Sequence, residues 1–187
     1  MNLIEKFESN PVVASVNSDN KFEKVIKSDC DIVFLLYGDI CNLSNIVKTL
    51  KYSGKLVFVD IDFIEGLSLK EISIDFIFKI ANLDGIISSK NNIVKIAKNK
   101  GYFAIHRFFL IDSKSFFKLP NQIYSSEADI VEILPGAMPK VISWVKEKID
   151  IPVIASGLIC EKEDVINALQ AGAISISSTN TTIWKEA

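Results

Sequence analysis

The sequence predicts a (β/α)8 barrel of the TIM type. Eight short, apolar, β-branched runs recur along the chain, and each is followed by a stretch with helical patterning. Strands alternating with helices at this spacing build a parallel sheet, and eight such units in succession favour a closed barrel over an open doubly wound sheet. The clearest unit is residues 133–159, ILPGAMPKVISWVKEKIDIPVIASGLI. It reads as a strand ending at Pro135-Gly136, a helix over about 138–148, and a second buried strand that runs out into Ser156-Gly157. A helix between two strands carries the chain back to its starting edge, so the strands are parallel. No GxGxxG follows the first run and no GxxxxGK[ST] occurs, which weakens the open-sheet dinucleotide and P-loop alternatives. At 187 residues the chain lies just below the roughly 200-residue lower end of the barrel fold, so its loops must be short and some helices abbreviated. With no linker or low-complexity tract, we expect one barrel domain over residues 1–187.

Taken in order, the first strand is VVASV at 12–16, with a helix from Asp19, the expected N-cap, to Lys27. The second is the nearly unbroken apolar run IVFLLYG at 32–38, as expected for a strand buried on both faces. Its helix spans 43–52 and Gly54 closes it. The third strand is LVFVDI at 56–61, then a loop through Glu65-Gly66 and a helix over 70–80. The fourth is GIIS at 85–88, with a helix at 91–100 ending at Gly101. The fifth is YFAIHRFFL at 102–110; Asp112 or Ser113 caps a helix that Pro120 is expected to interrupt before its end near 126. The sixth and seventh strands are 130–134 and 153–156, and a helix at 161–171 stops at Gly172. The eighth strand is 173–177, and a short last helix begins near Asn180 and includes Trp184.

Composition bounds the function. Apolar residues make up 49% and charged residues 24%, which is ordinary for a globular chain. No apolar run reaches the roughly 18 residues of a membrane span, and MNLIEKFESNP lacks the pattern of a secretion signal, so we expect no membrane partner and a cytoplasmic protein. Cys30, Cys41 and Cys160 have no CxxC or CxxH spacing, which suits free thiols. With a single histidine as well, no metal site and no cofactor are expected. The formal net charge of −2 means that any nucleic-acid role must rest on a local patch or an oligomer.

In such a barrel the working face is built from the C-terminal ends of the strands. Reading those ends gives Asp60 and Asp62, then Ser88, Ser89 and Lys90, then Arg107 with His106 beside it, then Glu132, and finally Ser156-Gly157 and Ser177-Ser178-Thr179-Asn180. The last two exits are small and hydroxyl-rich. Loops after strands seven and eight commonly form a phosphate site, because small residues let backbone amides approach and hydroxyls add donors. Ser156, Gly157, Ser177, Ser178 and Asn180 are therefore the candidate phosphate-binding residues. Lys90 and Arg107 are the cationic candidates, with Asp60 and Glu132 as partners on other strands. Two roles are open for them: gripping a charged, hydroxylated small molecule, or forming a structural ion-pair network inside the barrel. Alternation sends Arg107 inward and His106 toward the helices. Phe76, Phe78, Phe108, Phe109, Phe116 and Phe117 fall at core spacing and are read as core. Lys90, Lys95, Lys98 and Lys100 form a modest basic helix, read as a solvated face rather than a contact for RNA.

With these residues assembled, the chain resembles the glycerol uptake operon antiterminator regulatory proteins, the GlpP family. The matching segments are LDGIISSK at 83–90, RFFLIDS at 107–113, ILPGAMPKVI from Ile133, PVIASGLI at 152–159 and residues 173–184. The resemblance implies a (β/α)8 barrel in the cytoplasm that senses glycerol 3-phosphate, or a similar phosphorylated polyol, and acts on leader mRNA to prevent premature termination in glycerol-catabolic genes. Carried over by position, it adds Asp62, Glu65, Lys90, Arg107 and Glu132 as a polar pocket. Ser156 stands where the family usually has Gly, Asp60 where His is expected and Asn17 where Arg is expected. No nucleophile–base pair lies within one motif, which favours a regulator over an enzyme, and a homo-oligomer is left open. A small phosphate-substrate lyase, isomerase or transferase on the same scaffold stays open, as does a ligand-binding barrel without RNA activity.

Overall fold

The computed structural model describes residues 2–186. Eight parallel strands, β1 to β8, close into a barrel in sequence order: β1 Val12–Val16, β2 Ile32–Leu35, β3 Leu56–Asp60, β4 Gly85–Ser88, β5 Ala104–Phe109, β6 Ile130–Leu134, β7 Val153–Ser156 and β8 Ser175–Ser178. The helices are α1 Leu3–Glu8, α2 Asp19–Ile26, α3 Leu43–Tyr52, α4 Glu71–Ile80, α5 Asn91–Asn99, α6 Ser113–Ser126, α7 Pro139–Lys146 and α8 Lys162–Gln170. Two 3-10 turns, Ile61–Phe63 and Ile183–Glu186, follow β3 and β8.

The alternation along each strand divides the apolar residues into two cores. Val13, Ile32, Phe34, Phe58, Ile87, Ile105, Ile130 and Ile154 point into the barrel. The remaining strand residues, such as Val33, Val57, Val59, Val131 and Ile133, pack outward against the helices. At the N-terminal rim, Asp84 accepts from the second amide of β3, Val57 N, and Asp129 from the first of β5, Ala104 N, at 2.6 and 2.9 Å. Lys51 and Lys98 neutralise these carboxylates at 2.7 and 2.5 Å.

Where the structure departs from the sequence reading, local hydrogen bonding explains it. Helix α1 was not foreseen. Its signal is a capping box in which Asn2 Oδ1 accepts from Glu5 N at 2.9 Å and Glu5 Oε2 from Asn2 N at 3.0 Å. Its Phe7 plugs the N-terminal end of the barrel, with ring centroids 5.0 Å from Phe58 and 6.1 Å from Phe34. Strand β2 stops at Leu35 because Gly38 turns with φ +114° and Asp39 pairs with Glu65 instead. Strand β8 starts at Ser175, since Ala173 N still bonds Ala168 O of α8 at 3.2 Å. Ser18, not Asp19, is the N-cap of α2. Helix α6 runs unbroken through Pro120: Asp112 caps it in a capping box with Ser115, and buried Leu119 and Ile123 hold it against the barrel. The aromatic residues read as core divide. Phe108 is buried, whereas Phe76, Phe109 and Phe117 are exposed, because they lie at strand exits and on outer helix faces.

Candidate functional site at the C-terminal mouth of the barrel

Six inward side chains, one from each of six strands, form one hydrogen-bonded chain beneath the mouth. Arg107 (β5) donates through Nη1 to Asp60 Oδ2 (β3) and through Nε to Glu132 Oε2 (β6), the latter at 2.6 Å. Ser156 Oγ (β7) donates to Glu132 Oε1 at 2.6 Å and lies 2.7 Å from Ser177 Oγ (β8). Ser15 Oγ (β1) reaches Ser177 Oγ at 3.1 Å. Register explains the gathering. Arg107 is directly opposite Glu132, and Ser156 directly opposite Ser177, so each pair shares a level and the same inward face. Asp60 is 0%, Glu132 1% and Arg107 6% exposed, so the two carboxylates depend on one guanidinium for charge balance.

The electrostatics follow from burial. For Arg107, desolvation works against the charge, but the Glu132 and Asp60 carboxylates and their hydrogen bonds outweigh it and push its pKa above the ordinary value. For Asp60, burial favours the neutral acid and the close Arg107 contact opposes this. Glu132 and Asp62 then add repulsion, and the balance raises the pKa to about 7. A carboxyl that titrates near 3.8 when unfolded and near 7 when folded binds its proton more tightly in the native state. Its contribution to stability is therefore full below about pH 4 and declines as pH rises to 7. Asp60→Asn is expected to flatten this part of the profile, which urea midpoints measured from pH 4 to 8 in both proteins would show.

A second clip closes the rim between β3 and β4. Asp62 accepts from Ser88 Oγ at 2.7 Å and from both Ser89 N and Ser89 Oγ, at 2.7 and 2.6 Å. Phe63 follows it, half-exposed, with its ring 5.8 Å from the Arg107 guanidinium carbon. On the opposite side, the β7 and β8 exits are joined to their neighbours. Gly136 N donates to Ser156 O at 2.5 Å and Gly157 O at 3.0 Å, and a Cβ on Gly136 would stand 2.5 Å from Ser156 N. Only glycine permits that approach. Gly157 turns with φ +77°, a conformation open to glycine at little cost. Ser178 Oγ donates to Ile159 O at 2.8 Å and accepts from Asn180 N at 3.0 Å, and Asn180 Nδ2 donates to Cys160 O at 3.0 Å.

The structure thus brings Arg107, Glu132, Ser156 and Ser177 into one connected group, with Asp62 at the rim beside it. Ser178 and Asn180 shape the loop between β7 and β8 with their side chains. Glu65 is exposed and takes part through its backbone, N to Gly38 O at 2.9 Å. Lys90 is exposed at the N-cap of α5 and forms no ion pair among the described residues. His106 turns outward, where its Nδ1 lies 3.0 Å from Ser126 Oγ; burial drops its pKa to about 4, so it stays neutral. Ser15 and Phe63 were missed by the sequence reading. The alternating pattern of VVASV, with Val13 and Ser15 on one face, could have found Ser15. Among the described residues no group of three or more His, Cys, Asp or Glu is placed to hold a metal ion. No helix among them is long and apolar enough to cross a membrane.

The family described as "Glycerol-3-phosphate responsive antiterminator" matches residues 12–184. The chain belongs to that family. A crystal structure of a glycerol uptake operon antiterminator regulatory protein from Listeria monocytogenes superposes with a TM-score of 0.90 at 31% identity, covering 94% of this chain and 95% of that one. A glycerol uptake operon antiterminator-related protein from Thermotoga maritima gives 0.84 at 37% identity, covering 94% and 98%. The uncharacterized Escherichia coli K12 protein YgcP is 46% identical over 184 residues, which is 98% of this chain and 96% of that protein. A deoxyribose phosphate aldolase from Aeropyrum pernix shares the barrel at a TM-score of 0.73 and 18% identity, a likeness of fold alone. In this chain Ser156, which stands where the resemblance leads one to expect glycine, is buried. Its hydroxyl is turned into the chain formed by Glu132 and Ser177.

Proposed function

We propose that the mouth of the barrel binds glycerol 3-phosphate, or a closely similar phosphorylated polyol, and that occupancy controls antitermination on the leader mRNA of glycerol-catabolism genes in the cytoplasm. The observation that carries this reading is a buried, charge-balanced hydrogen-bond chain directly beneath two small-residue loops, in a chain whose family responds to that ligand. The phosphate sits on the Ser156-Gly157 and 177–180 exits, where backbone amides and hydroxyls gather at the ends of β7 and β8. The polyol hydroxyls face the Glu132–Arg107–Asp60 chain and the Asp62 rim. Arg107 acts mainly as a fixed positive field, because its Nε and Nη1 donors are already engaged inside the barrel.

Binding becomes regulation only if the ligand prefers one state of the protein over another by a few kcal/mol. In vitro transcription through a leader terminator is the test. Read-through is expected to rise severalfold when protein and millimolar glycerol 3-phosphate are present together, and not with either alone. Ligand binding without read-through would instead identify a sensor barrel that does not act on RNA. A phosphate-substrate enzyme is the second reading, favoured by one observation: Asp60, held near neutrality, has the proton affinity of a general acid–base group. Turnover of a phosphorylated polyol that Asp60→Asn abolishes would support it.

A further inference from the structure

We infer that the groove between α6 and α7 is the docking surface for single-stranded RNA, an inference that rests on the antitermination reading. The groove encloses about 480 Å³ and is lined by Leu110, Ile111, Phe116, Phe117, Trp144 and Lys148. Three aromatic rings form its floor: Phe116 and Phe117 are 5.6 Å apart, and Phe116 and Trp144 6.1 Å, each pair at a steep angle. Phe116 is partly buried against the core, and the residues around it are open to solvent. Phe117 is 68%, Trp144 43% and Ile111 85% exposed. Two ammonium groups lie on the rings, Lys140 Nζ 5.1 Å from the Trp144 centroid and Lys148 Nζ 5.6 Å from that of Phe116. Lys114 and Lys118, one turn apart on α6, are exposed beside them. The acidic groups on this face are Glu147 and Asp112, and the Asp112 carboxylate is engaged by Ser115 N at 2.7 Å. Along α6 and α7 with their flanking residues, 112–127 and 138–148, five lysines (Lys114, Lys118, Lys140, Lys146 and Lys148) stand against three acids (Asp112, Glu127 and Glu147), a local basic surplus on a chain whose net charge is −2.

Charge decides the occupant. A second copy of the chain, packed through this face about a two-fold axis, would set the lysines against themselves. A single-stranded polyanion matches both features at once, because its bases stack on exposed rings while lysines track its phosphates. On another lysine-bearing surface, α5, two of the four lysines are neutralised: Lys98 pairs with Asp129 at 2.5 Å, and Lys100 with Glu71 and Asp75 at 3.1 and 3.0 Å, and among the described residues no aromatic ring lies under a lysine there. Position links the groove to the mouth. Its first segment, 110–113, leaves the end of β5, three residues beyond Arg107, so any shift of Arg107 on ligand binding reaches the groove along one strand.

The chain carries two tryptophans, and Trp184 is 2% exposed, so quenching of emission by RNA reports on Trp144. The experiment titrates full-length protein with fluorescein-labelled leader transcript, following anisotropy and, with unlabelled transcript, tryptophan emission, with and without glycerol 3-phosphate. We expect wild-type binding with quenching. We expect loss of at least about tenfold in affinity for Trp144→Ala. For Lys140→Gln/Lys148→Gln, the dependence of log affinity on log salt should fall by about 1.4. Circular dichroism checks that the variants, all at exposed positions, keep the fold. RNA binding that neither variant weakens would overturn the groove and leave the antitermination reading intact. No binding of RNA by the wild type in either ligand state overturns both. A dimer seen by sedimentation and lost in Trp144→Ala would assign the groove to a second copy and overturn the RNA inference.

Discussion

Arg107→Met is expected to cost about 3–5 kcal/mol of folding stability, the usual consequence of removing one partner from a buried ion pair. Asp60 and Glu132 would be left in the barrel interior with only amide and hydroxyl partners, at 0% and 1% exposure. The effect should depend on pH in a defined direction. Without the guanidinium, which opposes the effect of burial on Asp60, that carboxyl binds its proton more readily in the folded state, so the variant should regain stability as pH falls and lose most of it above pH 7. Neutralising the acids in the same background, as Asp60→Asn/Glu132→Gln, should recover much of the loss, giving a coupling energy well above the roughly 0.5 kcal/mol error of additivity. Urea unfolding of the four proteins at pH 5 and 8 measures this directly. Equal losses at both pH values, with no recovery in the combined variant, would mean that Arg107 is held by packing rather than by charge.

Phe7→Ala is expected to cost a similar amount, about 3–5 kcal/mol, for a different reason. Phe7 is fully buried and is the part of α1 that enters the barrel, within 5.0–6.4 Å of the rings of Phe34, Phe58 and Phe103. Truncation leaves a cavity lined by aromatic rings at the N-terminal end. The mouth proposed to bind ligand lies at the other end, so glycerol 3-phosphate affinity should be unchanged while the urea midpoint falls. A loss below about 1 kcal/mol would show that α1 frays from the barrel without consequence.

Much of this architecture was legible because barrel strands carry a simple signal. Runs such as IVFL and VFVD are buried on both faces, and glycines at 54, 101 and 172, all with positive φ, close the helices that follow. Alternation within AIHRFF was enough to send Arg107 inward and His106 outward, and the same logic brought Glu132 to Arg107. Three things were not legible. Helix α1 has only six residues, too few for a periodic pattern, and its one mark is the Asn2–Glu5 box. The ends of strands depend on what neighbouring strands can still pair, so Leu36 and Tyr37 read as strand and lie beyond it. Exposure of Phe117 and Trp144 is decided by which helix face meets the barrel, and that of Phe109 by its place at the exit of β5; in sequence each looks identical to a core residue. At the mouth, residue types gave the candidates, but only geometry separates Ser156 and Ser177, tied to the ion pair, from Ser178, which builds its own loop.

A phosphorylated polyol is expected to bind at this mouth. The measurement is the thermal midpoint of the wild-type protein with millimolar glycerol 3-phosphate, beside equal concentrations of glycerol and of inorganic phosphate. At a hundredfold excess over the dissociation constant, a ligand that binds only the native state adds about 2.7 kcal/mol, which for a chain of this size raises the midpoint by roughly 5–10 °C. We expect that shift with glycerol 3-phosphate, a much smaller one with either control, and its loss in Gly136→Ala, where a Cβ would push against Ser156 N and displace the β7 exit. No shift with glycerol 3-phosphate, or an equal shift with inorganic phosphate alone, would contradict the claim that the barrel reads both halves of the molecule.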